Sequence, residues 1–235
     1  MNNVILAVAT NRPIHSTTRA ALMNLQRAGA ILNTVEGSSD VALARNVTLS
    51  GVLDTFKADE SRDVVLLVDD DMVFSLRQAQ TVCAHAVERQ VATSAVYPTA
   101  VGDLAASTEF SPIPGRWVAG LGFFAIPRAL LFKLADESTR FLWRKRELFE
   151  FTNSTVHNGL WIGEDYWLSI RLGGVDVLPI AVGHLKTIPL FADESTLERV
   201  GSRFAGALAV DAGEEIPGPF RATTSQGGGI EVVQK

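Results

Sequence analysis

The spacing of apolar positions changes from segment to segment along this chain, and each change marks an element. Val4 to Ala9 is an unbroken apolar run closed by Thr10-Asn11-Arg12-Pro13, the pattern of a strand buried on both faces and followed by a loop. Between Thr17 and Arg27 the period lengthens. Leu22 and Leu25 recur at helical spacing, Gly29 stops the helix, and Ala30 to Val35 resumes as a second strand. Asp40 is placed to cap a helix running to about Phe56, which carries Leu49, Val52, Leu53 and Phe56 as its apolar stripe and also bears Arg45 and Asn46. "VVLLV", Val64 to Val68, is the clearest buried strand and runs directly into Asp69-Asp70-Asp71.

Ser75 and Gln78 form a capping box for a helix whose Leu76, Ala79, Cys83 and Val87 share a face, and Val91 to Ala95 supplies another strand. This alternation predicts an α/β fold around a mostly parallel sheet with right-handed crossovers. Ligands of such sheets bind beyond the C-terminal strand ends, where the Thr10 and Asp69 loops lie. The second half is less regular. "GLGFFAI" reads as a strand, Arg128 to Leu134 as a short helix, Glu164 to Leu172 as a helix stopped by Gly173-Gly174, and Val175 to Val182 as a strand leading to Gly183-His184. Residues 221–235 read as a flexible tail, or a strap that orders on binding. No internal repeat is present.

At 235 residues, 47% hydrophobic and 20% charged, the chain suits one large packed domain. A formal net charge of -5 argues against a generic nucleic-acid coat while leaving room for a local basic patch. The single cysteine, Cys83, has no disulfide partner and reads as a core residue on its helix. The start lacks a basic region and no segment approaches roughly twenty apolar residues. The expectation is a soluble cytoplasmic protein without membrane insertion.

Asp69 and Asp71 carry the chemistry, because residues i and i+2 of an extended segment aim their carboxylates the same way. A hard divalent cation such as Mn²⁺ or Mg²⁺ would relieve their repulsion and bind diphosphate oxygens; a solvated acidic turn is the plain alternative. His184, after a strand and a glycine, is the candidate third ligand, with a hydrogen-bonded loop histidine as its alternative. His15, His85 and His157 have weaker claims, and His85 reads as structural. Glu164 and Asp165 open a helix, where the dipole favours ionised carboxylates; Asp165 is the general-base candidate. Gly120 and Gly122 would allow close backbone approach to a ligand, or mark crowded packing. Arg45 would neutralise phosphate, or sit in a surface ion pair. Arg140, Arg144, Lys145 and Arg146, interleaved with Phe141, Trp143, Phe149 and Phe151, suit phosphate contact and stacking, or an amphipathic surface helix.

In this order, "SSDVALARN", "VVLLVDDDMVF", "VYP", "VAGLGFFAIPRALLFKL", "GEDYWLSIRLGGVDV" and "GHLK" resemble the GT-A fold glycosyltransferases, particularly the small family-2-like and mannan-polymerase-like enzymes of phages and bacteria. The match spans roughly residues 4 to 186. The resemblance implies a Rossmann-like, mostly parallel sheet flanked by helices with a smaller acceptor-side subregion, the nucleotide-sugar-binding half at 1–100 and the acceptor and catalytic half of the same domain at 101–220. It implies that Asp69 and Asp71 form the metal-binding D-x-D and that His184 completes the site. It places Glu164 and Asp165 at the acidic pair that supplies the base of inverting members, and Thr10, Asn11 and Arg12 where the nucleotide base and ribose bind; Asp69 and Asp70 are further candidates for donor binding, although Asp70 points away from the Asp69–Asp71 direction. Arg45 matches the arginine of the "ARN" pattern. Thr-Asn-Arg-Pro departs from the commoner P-x-x-N first loop.

The implied activity is transfer of a sugar from a nucleotide-diphosphate donor to a hydroxyl, with Mn²⁺ or Mg²⁺ as cofactor. The acceptor expected from the basic-aromatic stretch is a hydroxymethylated base of phage DNA, held through Arg140, Arg144, Lys145 and Arg146 in the host cytoplasm; a glycan or small molecule is the alternative. Two other readings stay open. A haloacid-dehalogenase-like phosphohydrolase also places D-x-D after an apolar strand, with Asp69 as nucleophile. A non-catalytic nucleotide-sugar-binding module would use the same acids only to hold a cation.

Overall fold

The computed structural model describes residues 1–10, 12–36, 40–99 and 104–185, with two further backbone strands at 220–224 and 230–234. The first half runs β1 (Val4–Thr10), α1 (Ser16–Arg27), β2 (Ile31–Glu36), α2 (Val41–Ala58), β3 (Val64–Val68), β4 (Met72–Val73), α3 (Leu76–Arg89) and β5 (Ala92–Val96). The second adds β6 (Ala106–Ser107), β7 (Val118–Ala119), β8 (Phe123–Pro127), α4 (Arg128–Asp136), β9 (Arg140–Trp143), β10 (Arg146–Phe149), β11 (Thr155–His157), β12 (Leu160–Ile162), α5 (Glu164–Arg171), β13 (Val175–Ala181) and β14 (Gly183–His184). In the segment read as a tail, β15 (Phe220–Thr224) and β16 (Ile230–Gln234) pair antiparallel.

The protein is a mixed α/β structure around a six-stranded sheet of order β13-β5-β8-β3-β1-β2. Every neighbouring pair is parallel except those made by β8, which runs antiparallel to both β3 and β5. Among the described residues, no helix separates β5 from β8. Without a helical crossover the chain re-enters the sheet from the edge where β5 ends, which reverses the strand. Gly122, just ahead of β8, therefore lies at the same sheet edge as Asp69, just beyond β3.

Continuous apolar strands follow from helices on both faces. In β1, Ile5 and Ala7 pack with Leu49, Val52, Leu53 and Phe56 of α2, whereas Val4, Leu6 and Val8 pack with Leu22 and Leu25 of α1 and Val82 and Cys83 of α3. The expected caps are in place: Asp40 accepts from the amide of Leu43 at 3.0 Å, and Ser75 and Gln78 bond reciprocally. Cys83 is buried, and burial pushes its thiol up to about 12. No helix among the described residues is long and apolar enough to cross a membrane.

The 140–151 stretch corrects one expectation. It is a hairpin, β9 and β10, whose turn residues Arg144 and Lys145 both adopt positive φ, so the surface-helix reading fails. The chain after β9 follows α2: Arg146 pairs with Asp54 at 2.7 Å, Phe149 donates to Ser50 at 3.1 Å, and Phe151 and Thr152 both donate to Asn46. Asn46 also donates to the Thr152 carbonyl at 2.9 Å. Its buried amide thus replaces strand pairing for this segment, and Thr152 in turn bonds the Glu164 carbonyl through its hydroxyl. Asn46→Ala would orphan two buried amides, so we expect a loss of roughly 2–4 kcal/mol. A urea titration reads this as a lowered midpoint with unchanged slope; a variant within about 0.5 kcal/mol of wild type would contradict the assignment.

Candidate metal centre

The end of β3 and the β4–β14 ribbon bring the candidate ligands together. β3 delivers Asp69, and the chain turns at once into β4, which pairs antiparallel with β14 in the register His184 to Met72 and Gly183 to Val73. The amide of Leu185 donates to the Asp71 carbonyl at 2.7 Å. This short ribbon brings a histidine more than a hundred positions away to the acidic turn. One ligand atom each from Asp69, Asp71 and His184 lie within 4.8 Å of one another.

His184 is buried, and its Nδ1 lies 2.9 Å from the Pro98 carbonyl. A carbonyl only accepts, so Nδ1 carries the proton in that bond. Nε2 is then turned to the acids, 3.1 Å from Asp71 Oδ1. A backbone carbonyl holding the far nitrogen is the arrangement that fixes a metal-ligating tautomer. Two carboxylate oxygens and one imidazole nitrogen form a donor set that could hold a metal ion.

Asp70 has a different task. Its carboxylate accepts from the Thr10 hydroxyl and from Arg12, whose Nε and Nη2 approach it at 3.1 and 2.8 Å, while Nη2 also reaches Asp71 Oδ2 at 2.6 Å. The hydrogen bonds to Asp70, with burial opposing them, raise the Arg12 pKa above its ordinary value. Thr10 and Arg12 thus pin the first loop to the acidic turn; Asn11 lies outside the described residues.

Arg45 is buried, with its side chain 9% exposed, so it forms no surface ion pair. It bridges Asp69 at 3.3 Å and Glu164 at 2.6 Å. Burial opposes its charge, but Asp69, Glu164 and Asp165 outweigh that and raise its pKa. Arg45 thereby joins the D-x-D turn to the first turn of α5. Asp165 accepts from the Tyr166 amide at 2.8 Å. Burial lifts the Asp165 carboxyl above the ordinary carboxylate range; Arg45 pulls it down and Glu164 pushes it up again.

Gly120 and Gly122 make room for Tyr97. A Cβ at Gly120 would collide with the Tyr97 hydroxyl, and one at Gly122 would stand 3.0 Å from the Tyr97 ring and 3.2 Å from Asp69 Oδ2. The Gly122 amide donates to the Tyr97 hydroxyl at 2.8 Å, and its carbonyl accepts from the Asp69 amide at 2.9 Å. Tyr97 also meets the His184 ring edge-on at 5.5 Å. Burial, then Asp69, raises its pKa well above the usual phenol value. Tyr97, Pro98 and Asn46 are positioning residues to which the sequence assigns no role, although they lie in the "VYP" and "ARN" motifs.

The other histidines serve structure. His15 caps α1 through Nδ1, His85 pairs with Asp176 of β13 at 3.0 Å, and His157 packs on Trp167. The basic hairpin lies apart from the centre. Arg146 holds Asp54, nine residues along α2 from Arg45 and so roughly 13 Å down its axis. Arg140 pairs with Glu147, and Arg144 stacks on Trp143.

No protein-family model matches the chain, and no curated protein matches it in sequence. Among solved structures, A197 from STIV superposes with a TM-score of 0.53 at 17% identity, over 79% of this chain and 86% of that one. That likeness shows a shared fold. A glycosyltransferase involved in glycosylation of the major capsid of PBCV-1 reaches a TM-score of 0.31 at 10% identity, over 55% and 62% of the two chains. A nucleoside-diphosphate-sugar pyrophosphorylase from Vibrio cholerae RC9 reaches 0.36 at 12% identity, over 77% and 75%. The last two superpose too loosely to carry an argument.

Mn²⁺ at about a hundred times its dissociation constant stabilises a one-site protein by about 2.7 kcal/mol. For a chain of this size that is a rise of about 5–10 °C in Tm. We expect that rise in the wild type and its near loss in His184→Ala and Asp71→Asn; equal shifts in all three would place the ion elsewhere.

Proposed function

We propose that this chain is a metal-dependent glycosyltransferase of GT-A type, moving a sugar from a nucleotide-diphosphate donor to a hydroxyl acceptor. The observation that carries the reading is the union of two acidic clusters by one buried guanidinium: Arg45 spans Asp69 of the metal cluster and Glu164 beside the candidate base. The order of motifs along the chain supports the same reading.

Asp69, Asp71 and His184 would hold the cation, which when bound supplies positive charge to the diphosphate leaving group. Arg12, 53% exposed, can turn from Asp70 towards the donor, and Thr10 shares that loop. Arg45 pairs with Glu164 and fixes the first turn of α5, so that Asp165 faces the acceptor. Asp165 takes the proton of the acceptor hydroxyl as its oxygen bonds to the anomeric carbon, the carbon–phosphate oxygen bond breaks, and the nucleoside diphosphate leaves. Attack opposite the leaving group inverts the anomeric centre.

The phosphohydrolase reading loses ground here. Asp69, its required nucleophile, is engaged by Arg45 within a cluster that includes a histidine donor. A hydroxymethylated DNA base as acceptor gains no geometric support, because Arg140, Arg144, Lys145 and Arg146 sit on the hairpin that follows α2 away from Arg45.

With Mn²⁺ and a panel of uridine-, guanosine- and thymidine-diphosphate sugars, the wild type should release nucleoside diphosphate from at least one donor. Asp165→Asn should cut transfer by about 10²–10⁴-fold. Absence of release with every donor would overturn the proposal.

The working base is the ionised carboxylate, and burial raises its pKa. The acid limb of kcat/KM should therefore lie above the ordinary aspartate value of about 3.9, and should vanish in Asp165→Asn. The same shift makes the stability contribution of Asp165 greatest at low pH and lost as pH rises through its folded pKa. A limb unchanged in Asp165→Asn would assign the base elsewhere.

A further inference from the structure

Beside Asp165 opens a cleft of about 340 Å³, with Thr99, Phe110, Trp161, Gly163, Asp165 and Tyr166 on its walls. Its make-up identifies what it takes. Three of its lining side chains are aromatic, and Asp165 is the one charged group among the described residues that line it. Trp161 stands 72% exposed on β12, paired across the hairpin with the exposed Val156 of β11. Phe110 and Tyr166 lie 6.2 Å apart at 45°. The Thr99 hydroxyl oxygen is buried and has no hydrogen-bond partner among the described residues.

Binding a nucleic-acid strand draws on lysine and arginine to neutralise phosphates, and these walls offer a carboxylate instead. An acidic peptide or a phosphorylated ligand meets the same difficulty. What fits is a neutral molecule with one apolar face and several hydroxyls. A pyranose ring is such a molecule: its axial C–H groups lie flat on an aromatic face, while its hydroxyls bond polar groups at the rim.

We propose that the acceptor is a neutral glycan, whose terminal sugar stacks on Trp161 with one hydroxyl directed at Asp165 and another satisfying Thr99. What happens to the hydroxyl at Asp165 rests on the transferase reading; sugar binding in the cleft does not.

The test is saturation-transfer NMR on the full chain without donor or metal. The probes are methyl glycosides of glucose, galactose, mannose and N-acetylglucosamine, with their disaccharides, and an oligonucleotide containing 5-hydroxymethylcytosine as the competing class. At least one saccharide should bind the wild type. Trp161→Ala should bind it at least about tenfold more weakly, as expected for loss of an aromatic anchor, and Trp161→Phe should restore part of the affinity. Because Trp161 is exposed, the alanine variant should keep the wild-type circular dichroism and Tm. Absence of binding by every saccharide, equal binding by Trp161→Ala, or saturation transfer to the oligonucleotide alone would overturn the proposal. Saccharide binding in a wild type that releases no nucleoside diphosphate would support the cleft and sink the transferase reading, so the two failures are distinguishable.

Discussion

Five carboxylates, those of Asp69, Asp70, Asp71, Glu164 and Asp165, gather at one edge of the sheet against two guanidinium groups, Arg12 and Arg45. Repulsion at such separations amounts to several kcal/mol where water is partly excluded. The fold tolerates the crowd by giving each acid a set direction. Asp70 is turned to Thr10 and Arg12, Glu164 is held by Arg45, and Asp165 lies in surroundings that favour its protonated form. Asp69 and Asp71 remain directed together, with His184 as the third group. Even with Arg45 on Asp69 and Arg12 on Asp71, acids outnumber cations here, and Asp69, Asp71 and His184 together could hold a metal ion.

The same arrangement accounts for the rest of the edge. Antiparallel β8 is needed because it brings Gly122 to the ends of β3 and β5, where its amide and carbonyl connect Tyr97 to Asp69. Tyr97 and Pro98 then orient His184, one through its ring and the other through its carbonyl. On the opposite side, Asn46 secures the segment leading to Glu164 against α2, one residue from Arg45. Adjacent residues on one helix thus hold the backbone and the charge of the same site.

Much of this could be read from the chain. The apolar run of Val64 to Val68 ending in three acids, the capping box at Ser75, and the stripe of Leu49, Val52, Leu53 and Phe56 each reflect local rules, and the structure follows them. The nearness of His184 to Asp71 was legible only through the order of motifs, since no local period links residues so far apart. The antiparallel sense of β8 and the hairpin at 140–149 were not legible, because short strands that pair across irregular loops leave no periodic signal. Arg45 shows the same limit. Its "ARN" setting marks it, yet its burial between Asp69 and Glu164 depends on groups from three separate elements.

The account comes down to one ion shared by three side chains. A crystal soaked in Mn²⁺ and measured at the manganese edge tests that directly. The account predicts a single anomalous peak at the end of β3, about 2.0–2.3 Å from an oxygen of Asp69, an oxygen of Asp71 and His184 Nε2. A map with no peak there, or with the ion bound away from His184, would contradict it.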